Sequence, residues 1–286
     1  MTLVPIPRVG GDEAIARLPL PLYLYRELTA SDHYHLGHYA HLGHDARGAS
    51  ADDSLLRGMD RLVTHAFEAV PAHARVLDVG CGMGGSARLL AERGHDVVAV
   101  DQDAASIDYA RTRDVRVHGA RAPLFLCDAI EDRTVDELGG PFDVVLLLEV
   151  QQHFPDPAYG CRQALRFLRP GGALLFLDLA VTRNARPVDC PFFGHGEFAR
   201  AAESLGFTVE HDEDLTAHVR PTLALLDVAL AAERPRLLAS NADRAGAIRA
   251  ELAELEVQVA ALARALDAGE LRYHLTRLRL GTESTP

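Results

Sequence analysis

"VLDVGCGMGGSARLL", residues Val76–Leu90, decides how this chain is read. Val76, Leu77 and Val79 form an apolar run that stops at Gly80, as a buried strand does. Beyond the glycines, Ser86–Glu92 takes up helical spacing and stops at Gly94. Glycine between a strand and a helix lets the backbone turn tightly and approach a ligand at the helix N-terminus. Gly80, Gly82 and Gly85 fit G-x-G-x-x-G, a pattern shared by dinucleotides and other nucleotide-like cofactors.

Outward from this loop the chain alternates apolar runs with helical segments. "RVLDVG" (75–80), "DVVAVD" (96–101), "LFLCD" (124–128), "FDVVLLLEV" (142–150) and "ALLFLDLAV" (173–181) read as five strands. Such runs separated by helices predict an α/β fold, a parallel sheet covered on both faces. "AYGCRQALRFLRPGG" reads as a helix ended by Pro170-Gly171-Gly172, "HGEFARAAESLGF" as another, and "FTVEHDEDL" as a sixth strand. Residues 217–268 are helical in pattern, and 271–281 suits a last strand. Three parts are expected: 1–70, a helical segment and lid; 71–181, the cofactor-binding core; 182–286, the rest of the sheet with a helical cap.

Acids mark the strand ends. Asp78 stands two residues before the first glycine, where a carboxylate would repel a pyrophosphate and favours a cofactor carrying an ammonium or sulfonium. A hydrogen bond to the loop backbone is its other reading. Asp101, followed by Gln102, ends the second strand, where an acid accepts ribose hydroxyls. Asp128 ends the third, within reach of an adenine amino group. Glu149 ends the fourth, as a cofactor contact or a helix cap. All four lie on the edge where open α/β sheets bind ligands.

D-V-G-C-G-x-G-G, V-D, D-A, E-V-x-x-H-F-P-D-P and R-P-G-G-x-L-x-x-x-D together resemble the class I S-adenosylmethionine-dependent methyltransferases. The likeness is nearest to the small-molecule enzymes of bacterial secondary metabolism, such as antibiotic biosynthesis. It covers 71–181 well and "AAESLGFTVEHDEDLTAHVRPT" more loosely. It implies a Rossmann-like, mostly parallel seven-stranded sheet with the last strand antiparallel. It also implies S-adenosyl-L-methionine as cofactor and S-adenosyl-L-homocysteine as product. Gly80 and Gly82 would meet the methionine portion, Asp101 the ribose, and Asp128 with Ala129 the adenine.

Methyl transfer from a sulfonium already has a good leaving group, so alignment is the main task and can supply about 7–11 kcal/mol. A hydroxyl acceptor also needs a base. His153, in "QQHFPDP", and Asp178, in "FLDLA", occupy positions where related O-methyltransferases carry such groups; each is otherwise a structural residue. His218 and Arg220 are brought toward the acceptor by the same resemblance. A non-methylating enzyme of the same fold, catalysing a cyclisation or rearrangement, is the alternative. A nicotinamide oxidoreductase is disfavoured by Asp78, and a non-catalytic module by the full set of acids.

The bulk numbers exclude other classes. A net charge of −12 over 286 residues argues against a nucleic-acid partner. No run reaches the roughly 18 apolar residues of a membrane helix, and the N-terminus has no signal-peptide pattern, so a cytoplasmic location is expected. Cys81, Cys127, Cys161 and Cys190 form no C-x-x-C pair, which disfavours structural zinc and a disulfide framework. Every Lys/Arg position is arginine, which removes lysine chemistry. Ile248, Leu252, Leu255, Val259, Leu262 and Leu266 form an a/d-like stripe, for packing on the chain's own sheet or for a homodimer seam.

"SDHYHLGHYAHLGHD" (31–45) carries five histidines. Gly37 and Gly43 spoil helical ligand spacing, and no acidic or cysteine partner set follows, so no metal is expected there. By the family resemblance, "HLGHY" matches an H-x-G-x-aromatic segment that folds over the cofactor, with Tyr34 and Tyr39 packing on it. His38 stands where an aromatic is commoner, with the acceptor as its contact.

Overall fold

The computed structural model describes residues 13–43, 46–50, 53–113, 121–182 and 191–282. In chain order the elements are α1 (Glu13–Arg17), α2 (Leu20–Thr29), α3 (Leu55–Ala66), β1 (Arg75–Val79), α4 (Gly85–Glu92), β2 (Asp96–Asp101), α5 (Ala104–Arg111), β3 (Leu124–Cys127) and β4 (Phe142–Leu148). Then follow α6 (Tyr159–Phe167), β5 (Leu168–Val181), α7 (His195–Ser204), β6 (Phe207–Asp214), α8 (Thr216–Val219), α9 (Pro221–Ser240), α10 (Ala245–Asp267) and β7 (Leu271–Leu280). His44 and Cys190 lie outside the described residues.

The seven strands run in the order β3-β2-β1-β4-β5-β7-β6. The first five pair in parallel, and β7 lies antiparallel to both β5 and β6, the expected Rossmann-like arrangement. Strands covered by helices on both faces must be apolar on both, and Val76, Leu77, Val97–Val100 and Val144–Leu147 are all buried. Two cores result. One joins the sheet to α2, α3, α4, α9 and α10; the other joins it to α6 and α7.

Local signals set several boundaries. The Ser54 hydroxyl accepts the Arg57 N–H at the start of α3, and the Asp103 carboxylate accepts that of Ser106 at the start of α5. α6 differs from expectation: it ends at Phe167, and Leu168 already begins β5, paired to Phe142. The residue before Pro170 is barred from helical geometry, so the proline acts upstream of its own position.

The apolar stripe on α10 faces inward. Ile248, Leu252, Val259 and Leu266 are buried, and Leu255 and Leu262 pack on the same core, against α9 and α2 more than against the sheet. Among the described residues no helix is long and apolar enough to cross a membrane.

Tyr39 corrects another expectation. It is fully buried beside α3, its ring filling the space left by Gly58, where a Cβ would stand 2.1 Å from Tyr39 Cζ. Its hydroxyl donates to the Ser54 carbonyl at 3.1 Å, and Arg61 lies over the ring. It is a core residue and does not line the cavity at the carboxyl ends of the parallel strands. Tyr39→Ala is expected to lower the unfolding free energy by about 3–5 kcal/mol in urea titration; an unchanged midpoint would contradict this packing.

Candidate active site

Order reverses between β1 and β4, and at the carboxyl ends of the strands a cavity of about 560 Å³ opens there. A crevice at this switch point is where such sheets take ligands, and the volume suits a small molecule. Gly80, Gly82 and Gly84 all have positive φ (75°, 50° and 76°), which strains any other residue. A Cβ on Gly80 would also stand 2.5 Å from Val150 Cγ1. The loop can take this path only with glycine.

Asp101, Gln102, Asp128, Glu149 and Asp78 all line the cavity, with Gly80 and Gly82. Asp101 accepts the N–H of Gly82 at 2.8 Å and of Asp103 at 2.9 Å, which fixes its carboxylate across the loop. Asp128 is ion-paired with Arg133. Ala129 does not line the cavity, although its neighbours Asp128 and Ile130 do.

Asp78 is the unusual member. It is buried, and among the described residues its Oδ2 has no hydrogen-bond partner. Burial, with the charge of Asp101 adding, pushes its pKa up to about 7. A partnerless carboxylate oxygen beside a glycine loop is a receptor for a cation, so the residues present fit the ammonium-bearing cofactor implied by the sequence.

Glu149 has a positive φ of 51°, a backbone strain of about 1–3 kcal/mol for a residue with a side chain. That conformation turns its carboxylate toward the N-terminal segment, where Oε1 accepts the Leu36 N–H at 2.8 Å. Burial raises its pKa to about 8, against the help of the Leu36 N–H and with the charge of Asp178 adding. Glu149 thus joins the fourth strand's end to the segment that covers the site.

That segment is tied down throughout. A Cβ on Gly85 would stand 2.7 Å from the backbone of Asp32 and His33, so the chain lies directly on the start of α4. Asp32 pairs with Arg88 at 2.8 Å and Arg26 at 3.2 Å, and Gly37 N–H donates to Thr222 Oγ1 at 2.9 Å. Tyr34 is half-exposed and lines the cavity.

His33 and His35 line the cavity too, and sequence reasoning missed them as site residues. Both are buried. The Leu36 carbonyl only accepts, so His35 Nδ1, 2.6 Å away, carries the proton, and Nε2 receives one from His33 Nδ1 at 3.0 Å. His33 Nε2 lies 2.8 Å from Asp60 Oδ1. Burial and the His33 charge push the His35 pKa down to about 3. Their alternation with Asp32 and Tyr34 was the available signal.

Of the two expected bases, only His153 is at the cavity. It is exposed, and its ring has no hydrogen bond to any described residue. Asp178 is a correction: it is 1% exposed and lies behind the site. Its Oδ2 accepts the Gln151 N–H at 2.9 Å and Oδ1 the Leu179 N–H at 2.8 Å. Burial raises its pKa to about 7, although these amides oppose the rise. It shapes the loop carrying His153 and does not face an acceptor.

The three expected acceptor contacts are corrections as well. His38 stacks on His65 and meets His218 edge-on, each at 4.9 Å, over a separate hollow. Burial, with His65 and His218 adding, lowers the His38 pKa to about 4. Arg220 grips Asp267 with two hydrogen bonds of 2.8 and 2.9 Å. None of the three lines the cavity. His41 is exposed and pairs with Asp53 at 2.8 Å.

Residues 51–212, more than half of the chain, match the protein family described as a methyltransferase domain. The 2-methyl-6-phytyl-1,4-hydroquinone methyltransferase of Synechocystis sp. is 32% identical over 150 residues, 51% of this chain and 46% of that one. The ubiquinone biosynthesis O-methyltransferase of Idiomarina loihiensis is 38% identical over 112 residues, 39% of this chain and 44% of that one. The matched part spans less than half the length of either relative. Among solved structures, the 4+2 cyclase SpnF superposes with a TM-score of 0.72 at 20% identity, over 92% of this chain and 93% of its own. The cyclopropane synthase MmaA2 from Mycobacterium tuberculosis gives 0.70 at 16% identity, over 94% of each chain. At these identities the likeness concerns the fold.

Asp78→Asn separates recognition from stability. A carboxyl whose folded pKa is raised from its ordinary 3.8 to about 7 makes the free protein lose stability as pH rises through that window. The variant is expected to melt no lower than the unaltered chain at alkaline pH, yet to bind S-adenosylhomocysteine at least tenfold more weakly, about 1.4 kcal/mol. Equal affinity by calorimetry would remove Asp78 from the cofactor site.

Proposed function

The chain belongs to the class I S-adenosylmethionine-dependent methyltransferases, and we propose that it methylates a hydroxyl-bearing small molecule in the cytoplasm. The observation that carries this reading is the partnerless Asp78 oxygen in a cavity that continues to the unengaged imidazole of His153. One end offers a cation receptor, the other a proton acceptor. S-adenosylmethionine supplies, when bound, an electrophilic methyl group on a cationic sulfur.

The residues divide the work. Asp78 accepts the ammonium of the amino-acid portion, Asp101 the ribose hydroxyls, and Asp128 the adenine amino group. His33, His35 and Tyr34, laid across Gly85, keep water from the cofactor. Leu22, Phe154 and Tyr159 line the same cavity and provide an apolar wall for the acceptor. His153 takes the hydroxyl proton as the new bond forms, the role of a general base. An apolar, hydroxylated acceptor is also consistent with the hydroquinone and ubiquinone pathways named for the two relatives, and with a natural product of similar character.

A second reading is favoured by two observations: with Asp178 withdrawn, only His153 remains of the two expected bases, and the superposing SpnF is a cyclase. An enzyme that only positions its substrate would need neither. The two readings differ in product mass. Methyl transfer adds one CH₂ and yields one S-adenosylhomocysteine per turnover; cyclisation does neither.

His153→Ala is expected to lower turnover about 10²-fold or more with cofactor affinity little changed. Unchanged turnover on a hydroxylated acceptor would remove His153 as the base.

A further inference from the structure

We propose that His195, Asp212 and His274 form a binding site for a borderline divalent metal ion such as Zn²⁺, away from the methyl-transfer cavity. The three come from different elements: His195 opens α7, Asp212 lies on β6, and His274 on β7. Asp212 pairs with Thr276 and His274 with Asp214 in the β6–β7 ladder, so Asp212 and His274 are diagonal neighbours on one face. One ligand atom of each lies within 4.8 Å of the others. No other such group occurs among the described residues.

The details suit a metal better than a hydrogen-bonded trio. His195 Nε2 is 2.8 Å from Asp212 Oδ2. His274 Nδ1 is 3.3 Å from Asp212 Oδ1 but buried without a hydrogen bond to any described residue. Two imidazoles stacked at 3.9 Å thus share one carboxylate that satisfies only one of them. Ligands on a four-coordinate ion with bonds of about 2.0–2.1 Å sit roughly 3.3 Å apart, so the nitrogens are near ligating separation, while the two rings must splay out of their 12° stack for both in-plane lone pairs to meet one ion. Thr276 Oγ1 donates to Asp212 Oδ1 at 3.1 Å, the kind of outer contact that orients a ligating carboxylate.

Two imidazoles and one carboxylate select a first-row transition ion over Mg²⁺ or Ca²⁺, which want oxygen. Three protein ligands leave a fourth position open, and it faces a hollow lined by Thr182, Arg200 and Arg272. With two guanidinium groups there, the fourth ligand is water or a small anion. The ion would tie the start of α7 to β6, the edge strand, and to β7.

Titration of the full chain with Co²⁺, followed by Zn²⁺ displacement, tests this. One equivalent of Co²⁺ is expected to give visible d–d bands that Zn²⁺ abolishes. His195→Asn and His274→Asn should weaken metal affinity by more than roughly tenfold, while His38→Ala, in the other histidine group, leaves it unchanged. Absence of bands, or bands that persist in both asparagine variants, would overturn the assignment. If those variants fail to fold, anomalous diffraction from a Zn²⁺-soaked crystal of the unaltered chain decides. A peak among the three side chains supports the site, and a peak elsewhere or none refutes it.

Discussion

A carboxylate buried without a partner is costly, and this fold holds one on β1, in the middle of its sheet. Asp78 sits at the switch point between β1 and β4, beside a second carboxylate, Asp101. Among the described residues its Oδ2 has no hydrogen-bond partner. The surrounding features follow from that constraint: a glycine loop that brings backbone close without adding side chains, a cavity in front of the acid, and a segment that closes over both. The free protein therefore carries a buried carboxyl whose pKa burial and Asp101 push up to about 7.

The covering segment is less a mobile flap than a fitted piece. Asp32 is gripped by two arginines, His33 reaches Asp60 on α3, and Leu36 donates to Glu149. The positive-φ backbone of Glu149 belongs to the same device, since its carboxylate accepts the Leu36 N–H of the segment. Asp178, withdrawn behind the sheet edge, fixes the next turn by accepting the amides of Gln151 and Leu179. Two acids that look alike in sequence thus do different things: one ties down the cover, the other shapes the loop that presents His153.

Much of this was legible in the sequence. β-Branched and leucine-rich runs marked the central strands β1, β2, β4 and β5, because strands buried on both faces need apolar residues throughout; β6, largely exposed, carries no such run. The strand-end acids followed from Gly80 and the spacing after it, and Asp78, Asp101, Gln102, Asp128 and Glu149 do line one cavity. Asp178 misled because a strand-end acid can turn inward: it is buried and accepts the Gln151 and Leu179 amides behind the cavity, which its position in the strand does not reveal. Tyr39, His38 and His218 misled for a different reason. Their placement depends on Gly58 and on α3 and α8, distant elements whose fit no local pattern records. The histidine run divided: His33 and His35 turn to the cavity, and His38 turns away to His65 and His218.

The central claim is that Asp78 awaits a cation, and proton release on ligand binding tests it most directly. Calorimetry of S-adenosylhomocysteine binding in buffers of different ionisation enthalpy counts the protons exchanged. With Asp78 at a pKa of about 7 in the free protein, binding near neutral pH should expel a fraction of a proton. The release should grow at lower pH, vanish well above 8, and be absent in Asp78→Asn. A proton count of zero across this range, or one that survives in Asp78→Asn, would contradict the account.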